Sequence, residues 1–125
     1  MKVNIVVPLE PRTKKNHQRI LKNNRTGKCF VAPSEQYKDY LSAASWYIKG
    51  LPKPIDTPVE VTCRFYMKTH RRVDLTNLLE AIDDILVSCG VLADDNSNII
   101  VSHDGSRVLY DKENPRTEIT IREVN

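Results

Sequence analysis

The chain has 125 residues, 40% apolar and 28% charged, the balance of one ordinary globular domain able to bury a single core. No stretch approaches the roughly 18 consecutive apolar residues of a membrane span, and nothing suggests disorder. The formal net charge is only +3, but Arg12, Lys14, Lys15, Arg19, Lys22, Arg25 and Lys28 crowd the first quarter while acids dominate from Glu80 to Asp95. Such asymmetry fits either a solvated basic loop or a polyanionic ligand.

The opening run VNIVVPL is β-branched and reads as a first strand ending at Pro8, not as a signal peptide. A polar, basic stretch follows, PRTKKNHQRILKNNRTGK, in which Asn-Arg-Thr-Gly marks a turn, and CFVAP supplies a short second strand. Helical spacing through Tyr37, Tyr40, Leu41, Ala44 and Tyr47/Ile48 predicts a helix that begins near Pro33-Ser34 and stops at Gly50. After the proline-rich link LPKPIDTP, the segment VEVTCRFYM alternates as a strand, with Val59, Val61, Cys63 and Phe65 on one side. A second helix is predicted from about Asp74 to Ser88, stopped by Gly90. NIIVSHDGSRVLY is a further strand region with a bulge or turn at Asp-Gly, and TEITIREV is a last strand. The order β(β)αβαββ implies an α+β (mixed α/β) domain with a mixed sheet of four to five strands and two helices. Cys29, Cys63 and Cys89 form no CxxC pair, which points to a reducing cytoplasm instead of a disulfide or zinc framework.

The second helix carries the sharpest signal. At about 100° per residue, Leu75, Leu78, Leu79, Ile82, Ile85 and Leu86 share one face, which must be core. The other face holds Thr76, Asn77, Glu80, Asp83 and Asp84, with no lysine or arginine among them. Asn77, Glu80 and Asp84 form one stripe at spacings of three and four. Like charges repel there, so the stripe is either a solvated face or a place for a divalent cation, which takes hard oxygen ligands. Asp74 can cap the helix through its side chain, and Asp94-Asp95 follow it in a loop that a sheet-based fold could bring back toward Asp74.

These residues together, the basic segment PRTKKN, the helix APSEQYKDYL, D-L-x-N-L, and G-V-L-x-D-D before a strand, resemble the RusA family of Holliday-junction resolvases over nearly the whole chain. The C-terminal SHDGSRVLYDKENPRTEITI is similar to versions found in prophages of Gram-positive bacteria. The resemblance implies one RusA-like endodeoxyribonuclease domain over residues 1–125. It further implies a cytoplasmic, homodimeric, Mg²⁺-dependent enzyme of recombination and repair, with Mn²⁺ as substitute and no nucleotide cofactor, that cuts four-way DNA junctions. By the same resemblance Asp74 corresponds to the first motif aspartate, Asn77 to the motif asparagine, Asp95 to the catalytic aspartate with Asp94 beside it, Asp84 to a further helix acid, and Arg71 and Arg72 to the preceding basic run. Two positions depart from the pattern. Thr76 stands where the family carries a second aspartate, and Glu80 where it carries a lysine. The two are four residues apart and adjacent on the helix, so Glu80 could return the missing carboxylate while Lys14 or Lys15 restores the charge. Otherwise the chain is a weakened or inactive module that still binds junctions.

On this reading Asp74 and Asp95 are primary metal ligands, Asp94 and Glu80 auxiliary acids, and Asn77 an orienter, with Asp74, Asp95, Asn77 and Glu80 forming the catalytic set. Lys14, Lys15, Asn16, Arg71 and Arg72 would contact DNA. His70 reads as a surface residue beside the arginines, His103 as a turn residue, and Trp46 as part of a helix packing face or dimer contact.

Overall fold

The computed structural model describes residues 1–13, 19–32 and 35–124, with side chains throughout except at 19, 20, 31 and 32. Lys14, Lys15 and Asn16 lie outside the described residues, as do Pro33 and Ser34 of the expected helix start. The elements run β1 (Lys2–Val7), β2 (Arg19–Lys22), β3 (Cys29–Ala32), α1 (Glu35–Ser45), β4 (Val59–Met67), α2 (Leu75–Ser88), β5 (Ile100–Ser102), β6 (Arg107–Tyr110) and β7 (Arg116–Glu123).

Strict alternation makes β4 the spine of the sheet: Val59, Val61, Cys63 and Phe65 are fully buried while Glu60, Thr62 and Arg64 point the other way. β7 lies antiparallel along its whole length, matching Val61 to Ile121 and Cys63 to Ile119, and β1 pairs antiparallel on the far side of β7. On the other edge, β5 and β6 both run parallel to β4, one after the other, at Val59–Glu60 and at Arg64–Met67. The result is a mixed five-stranded sheet in the order β1-β7-β4-β5/β6 with two helices, an α+β fold as expected. The helices share one core with the inward row of the sheet, where Leu78, Ile82, Ile85 and Leu86 of α2 and Tyr40 and Ala44 of α1 meet Val61, Phe65 and Ile121. Truncating the fully buried Phe65 to alanine is expected to cost about 3–5 kcal/mol, through lost transfer energy and the cavity left behind. The shift in urea midpoint at unchanged slope measures that cost.

Three local readings are corrected. The polar stretch before Asn23 is not all loop: Arg19–Lys22 forms β2, which pairs with β3 as a separate two-stranded ribbon around a turn tied by Arg25 N–H to Asn23 Oδ1 (2.9 Å) and closed at Gly27, φ +72°. α1 stops at Ser45, not at Gly50. Gly50 instead lies where the chain crosses the C-terminal end of α2, and a Cβ there would collide with the Cys89 carbonyl. The early stop leaves Trp46 88% exposed beyond the helix end, so it does not serve as a packing face within the subunit. All three cysteines are free, and burial inside the sheet pushes the Cys63 thiol well up.

Candidate active site

The site grows from the two ends of α2. At its N-terminus Asp74 holds an extended conformation (φ −86°, ψ 125°), and its carbonyl accepts from the Asn77 and Leu78 N–H groups at 3.1 and 3.2 Å. Its carboxylate makes no capping bond, contrary to the capping role open to it in the sequence. Oδ2 instead accepts from Asn77 Nδ2 at 3.2 Å, so the asparagine orients the first motif acid. Just upstream, Arg71 and Arg72 are exposed, and His70 is stacked on Tyr110 of β6 with ring centroids 3.9 Å apart and planes 26° from parallel. That stack fixes the start of the basic run against the sheet edge.

Toward the C-terminal half of α2 a cleft of about 390 Å³ opens between the helices, lined by Tyr37 and Leu41 of α1, Asp84, Val87 and Ser88 of α2, and Asp95 of the following loop. Helix spacing brings Asp84 to this wall, and the turn after Gly90 (φ +78°) returns the chain so that Asp95 meets it. The loop is internally braced: Asp94 Oδ1 accepts the Asp95 N–H at 2.7 Å, Asp94 Oδ2 accepts from Asn96 Nδ2 at 3.2 Å, and Asn96 Oδ1 accepts the Asn98 N–H at 2.9 Å. Asp95's carboxyl is held above the usual carboxylate range by desolvation first, then by the adjoining Asp94 carboxyl, with the charges of Asp84 and Asp94 adding to it. The Tyr37 phenol is pushed up to about 12 by burial and then by the charges of Asp84, Tyr40 and Glu80. The cleft thus places two aspartates, Asp84 and Asp95, beside one another.

The structure thus brings Asp95 together with Asp84 and Asp94. Asp74 and Asn77 stay together at the other end of the helix, and neither lines the cleft. Glu80 is exposed on the turn before Asp84 and Thr76 is exposed on the first turn. Among the described residues no three His, Cys, Asp or Glu side chains are grouped closely enough to form a metal site by themselves. Two hard carboxylates in one cleft still fit what Mg²⁺ requires, because that ion keeps several waters and takes one or two carboxylates plus substrate phosphate.

One pair escaped the sequence reading. His103 opens the turn through Asp104 and Gly105, its carbonyl accepting from the Ser106 N–H at 3.1 Å, but its ring also bridges two elements: Nδ1 donates to the Val61 carbonyl at 2.9 Å and Nε2 reaches Asp83 Oδ2 at 2.9 Å. Asp83, placed by the helix spacing on the polar face, is accordingly not solvated, its side chain being only 14% exposed. Only the β5–β6 interruption, which turns His103 inward, could have revealed this, and nothing in the spacing of the sequence announces it.

An acid-lined cleft on an α+β domain, with exposed arginines at the head of the same helix, is an arrangement that suits proteins that handle phosphodiesters. Residues 8–122 match the model of the family Endodeoxyribonuclease RusA, and the chain belongs to that family. The members of that family are endodeoxyribonucleases that act on branched DNA junctions. None of the curated proteins compared with the chain matches it. No helix among the described residues is long and apolar enough to cross a membrane.

Proposed function

We propose that the chain is a Mg²⁺-dependent resolvase of four-way DNA junctions, working as a cytoplasmic homodimer in recombination or repair of prophage or host DNA. The observation that carries this reading is the placing of Asp84 and Asp95 in the wall of one cleft, with Asp95's carboxyl raised by desolvation and then by its acidic neighbours. Asp95 and Asp84 hold the cation and Asp94 braces Asp95, while Asp74, oriented by Asn77, stands outside the cleft at the head of α2. Glu80 stands as the auxiliary acid. When bound, the divalent cation supplies Lewis acidity and makes nearby water more acidic. The chain itself positions the scissile phosphate: Arg71, Arg72, Lys14 and Lys15 neutralise flanking phosphates, and Asn16 contacts the DNA, without reading sequence. Two equivalent cuts in a symmetric junction call for two equivalent sites, hence a twofold dimer.

A second reading is favoured by Thr76 and Glu80, which remove one acid and one lysine of the family pattern: a junction-binding module with weakened catalysis. A labelled four-way junction incubated with the protein separates the two. Paired, symmetric nicks that appear with Mg²⁺ or Mn²⁺ and vanish with chelator establish the nuclease. A retarded complex that is never cut with either ion establishes the binding module.

A further inference from the structure

The face of the sheet turned away from the helices carries a cationic cleft that the acid site does not use. Alternation along β4 puts Thr62 and Arg64 on this face, opposite to buried Val61, Cys63 and Phe65. β6 pairs with β4 so that Arg64 and Arg107 stand in register, and β7 sets Thr120 opposite Thr62. Arg64, Arg107 and Arg122 line one cleft of about 460 Å³, with Thr62, Thr120 and Asp104 between them.

Its charges are poorly balanced. Glu118 is shared between two guanidinium groups, accepting from Arg64 Nε at 3.1 Å and from Arg116 Nε at 2.9 Å. Arg107 and Arg122 are exposed, and among the described residues neither has an ion-pair partner. Like charges directly opposite on neighbouring strands destabilise a sheet, so Arg64 beside Arg107 is not explained by sheet stability. The threonine hydroxyls have spent their protons, Thr62 on the Asp104 carbonyl at 2.9 Å and Thr120 on Asn4 Oδ1 at 3.1 Å. Among the lining side chains the three guanidinium groups are then the remaining donors, against the single acid Asp104. Forked N–H donors without acceptors match a phosphodiester, which arginine holds in two-pronged fashion.

We infer that this cleft is a second DNA-contact site, holding the phosphodiester backbone of a duplex arm on the face of the sheet opposite the acid cleft. The inference rests on the junction-binding reading above for its ligand, but not on catalysis. Arg107 and Arg122 are the gripping residues, and Arg64, half engaged by Glu118, is the third.

The test is the affinity of the full chain for a four-way junction and for linear duplex, with Ca²⁺ in place of Mg²⁺, at several salt concentrations. The double variant Arg107→Ala/Arg122→Ala is compared with the wild type, and oligomeric state and Tm are measured in parallel. The expected result is at least a tenfold loss of junction affinity and a salt slope shallower by about 2, one for each phosphate contact removed. Tm and oligomeric state stay unchanged. Unchanged affinity and slope in the double variant overturn the site while leaving a cutting wild type as a nuclease. A variant that loses affinity only because its subunits separate also overturns it, making the face a subunit interface. A wild type that binds but never cuts, with binding weakened in the variant, supports the site and removes the nuclease. A wild type that binds neither DNA overturns both.

Discussion

Replacing Asp95 by asparagine is expected to slow junction cleavage by roughly 10²–10³-fold, the equivalent of about 3–4 kcal/mol of transition-state stabilisation, while leaving junction affinity in Ca²⁺ within a few-fold of wild type. Asparagine keeps the size and the neutral hydrogen-bonding capacity of the side chain but removes the charge that a cation would meet. Since Asp95's carboxyl is raised by desolvation and by neighbouring acids, its charge is less favourable in the folded chain than in the unfolded one. Removing that charge therefore leaves Tm unchanged or slightly higher, the reverse of a folding defect. This opposition between lost turnover and retained stability separates a functional acid from a structural one. Asp84→Asn is expected to behave the same way, and the double variant to lose little beyond either single one, as groups acting on one centre do. Cleavage by the wild type should also decline on acidification at a higher pH than an ordinary aspartate would give, because Asp95 must be ionised to work. Single-turnover rates at saturating protein read all of this. Wild-type cutting by Asp95→Asn would remove Asp95 from the site.

The sequence was informative wherever one periodicity governed a whole element. α2 shows this best: six apolar residues at helical spacing predicted its buried face, and five of them are buried in the core, with Leu75 packed partly buried against it and Ala81 added. β4 and β7 were equally legible because a half-buried strand alternates with period two. Arg19–Lys22 was not, since Ile20 and Leu21 adjoin each other inside a basic stretch and give no period-two alternation. The parallel pairing of both β5 and β6 with β4 depends on the crossover through α2, a tertiary relation that local pattern does not encode. At the site, residue type identified the acids but not their grouping. Asp94 and Asp95 are set by the turn after Gly90, and that turn directs them to Asp84 in the cleft wall, whereas Asp74 is engaged by Asn77 at the other end of the helix. Asp83 and Asp84 are neighbours in sequence, yet helix geometry sends one to His103 and the other to the cleft.

His103→Ala is expected to lower stability by about 2–3 kcal/mol, a fall of roughly 6–12 °C in Tm, more than any surface histidine would. The histidine ties three elements together. Its ring follows β5, its Nδ1 donates to the Val61 carbonyl of β4, and its Nε2 meets Asp83 of α2. With acceptors on both nitrogens the imidazole gains from carrying both protons. Its pKa is accordingly raised, chiefly by the hydrogen bond to Asp83, against a desolvation that pulls it down. Removing the ring leaves Asp83 with neither oxygen satisfied among the described residues, since its Oδ1 is already buried without a partner. The figure is set below that of a fully buried pair because the two side chains keep 25% and 14% exposure. The pH dependence follows from the direction of the shift. A group whose folded pKa exceeds its unfolded value of about 6.5 contributes its full stabilisation below that pH and loses it as pH rises through the folded pKa. The stability gap between wild type and His103→Gln, which offers an amide donor that does not titrate, should thus be wide at about pH 6 and narrower at about pH 9. Urea midpoints at the two pH values measure it, and a gap that does not change would mean that the neutral ring already makes the whole contribution. Because Asp83 adjoins Asp84, a loosened α2 should also reach the cleft, so that His103→Ala lowers the single-turnover cleavage rate more than it lowers junction affinity.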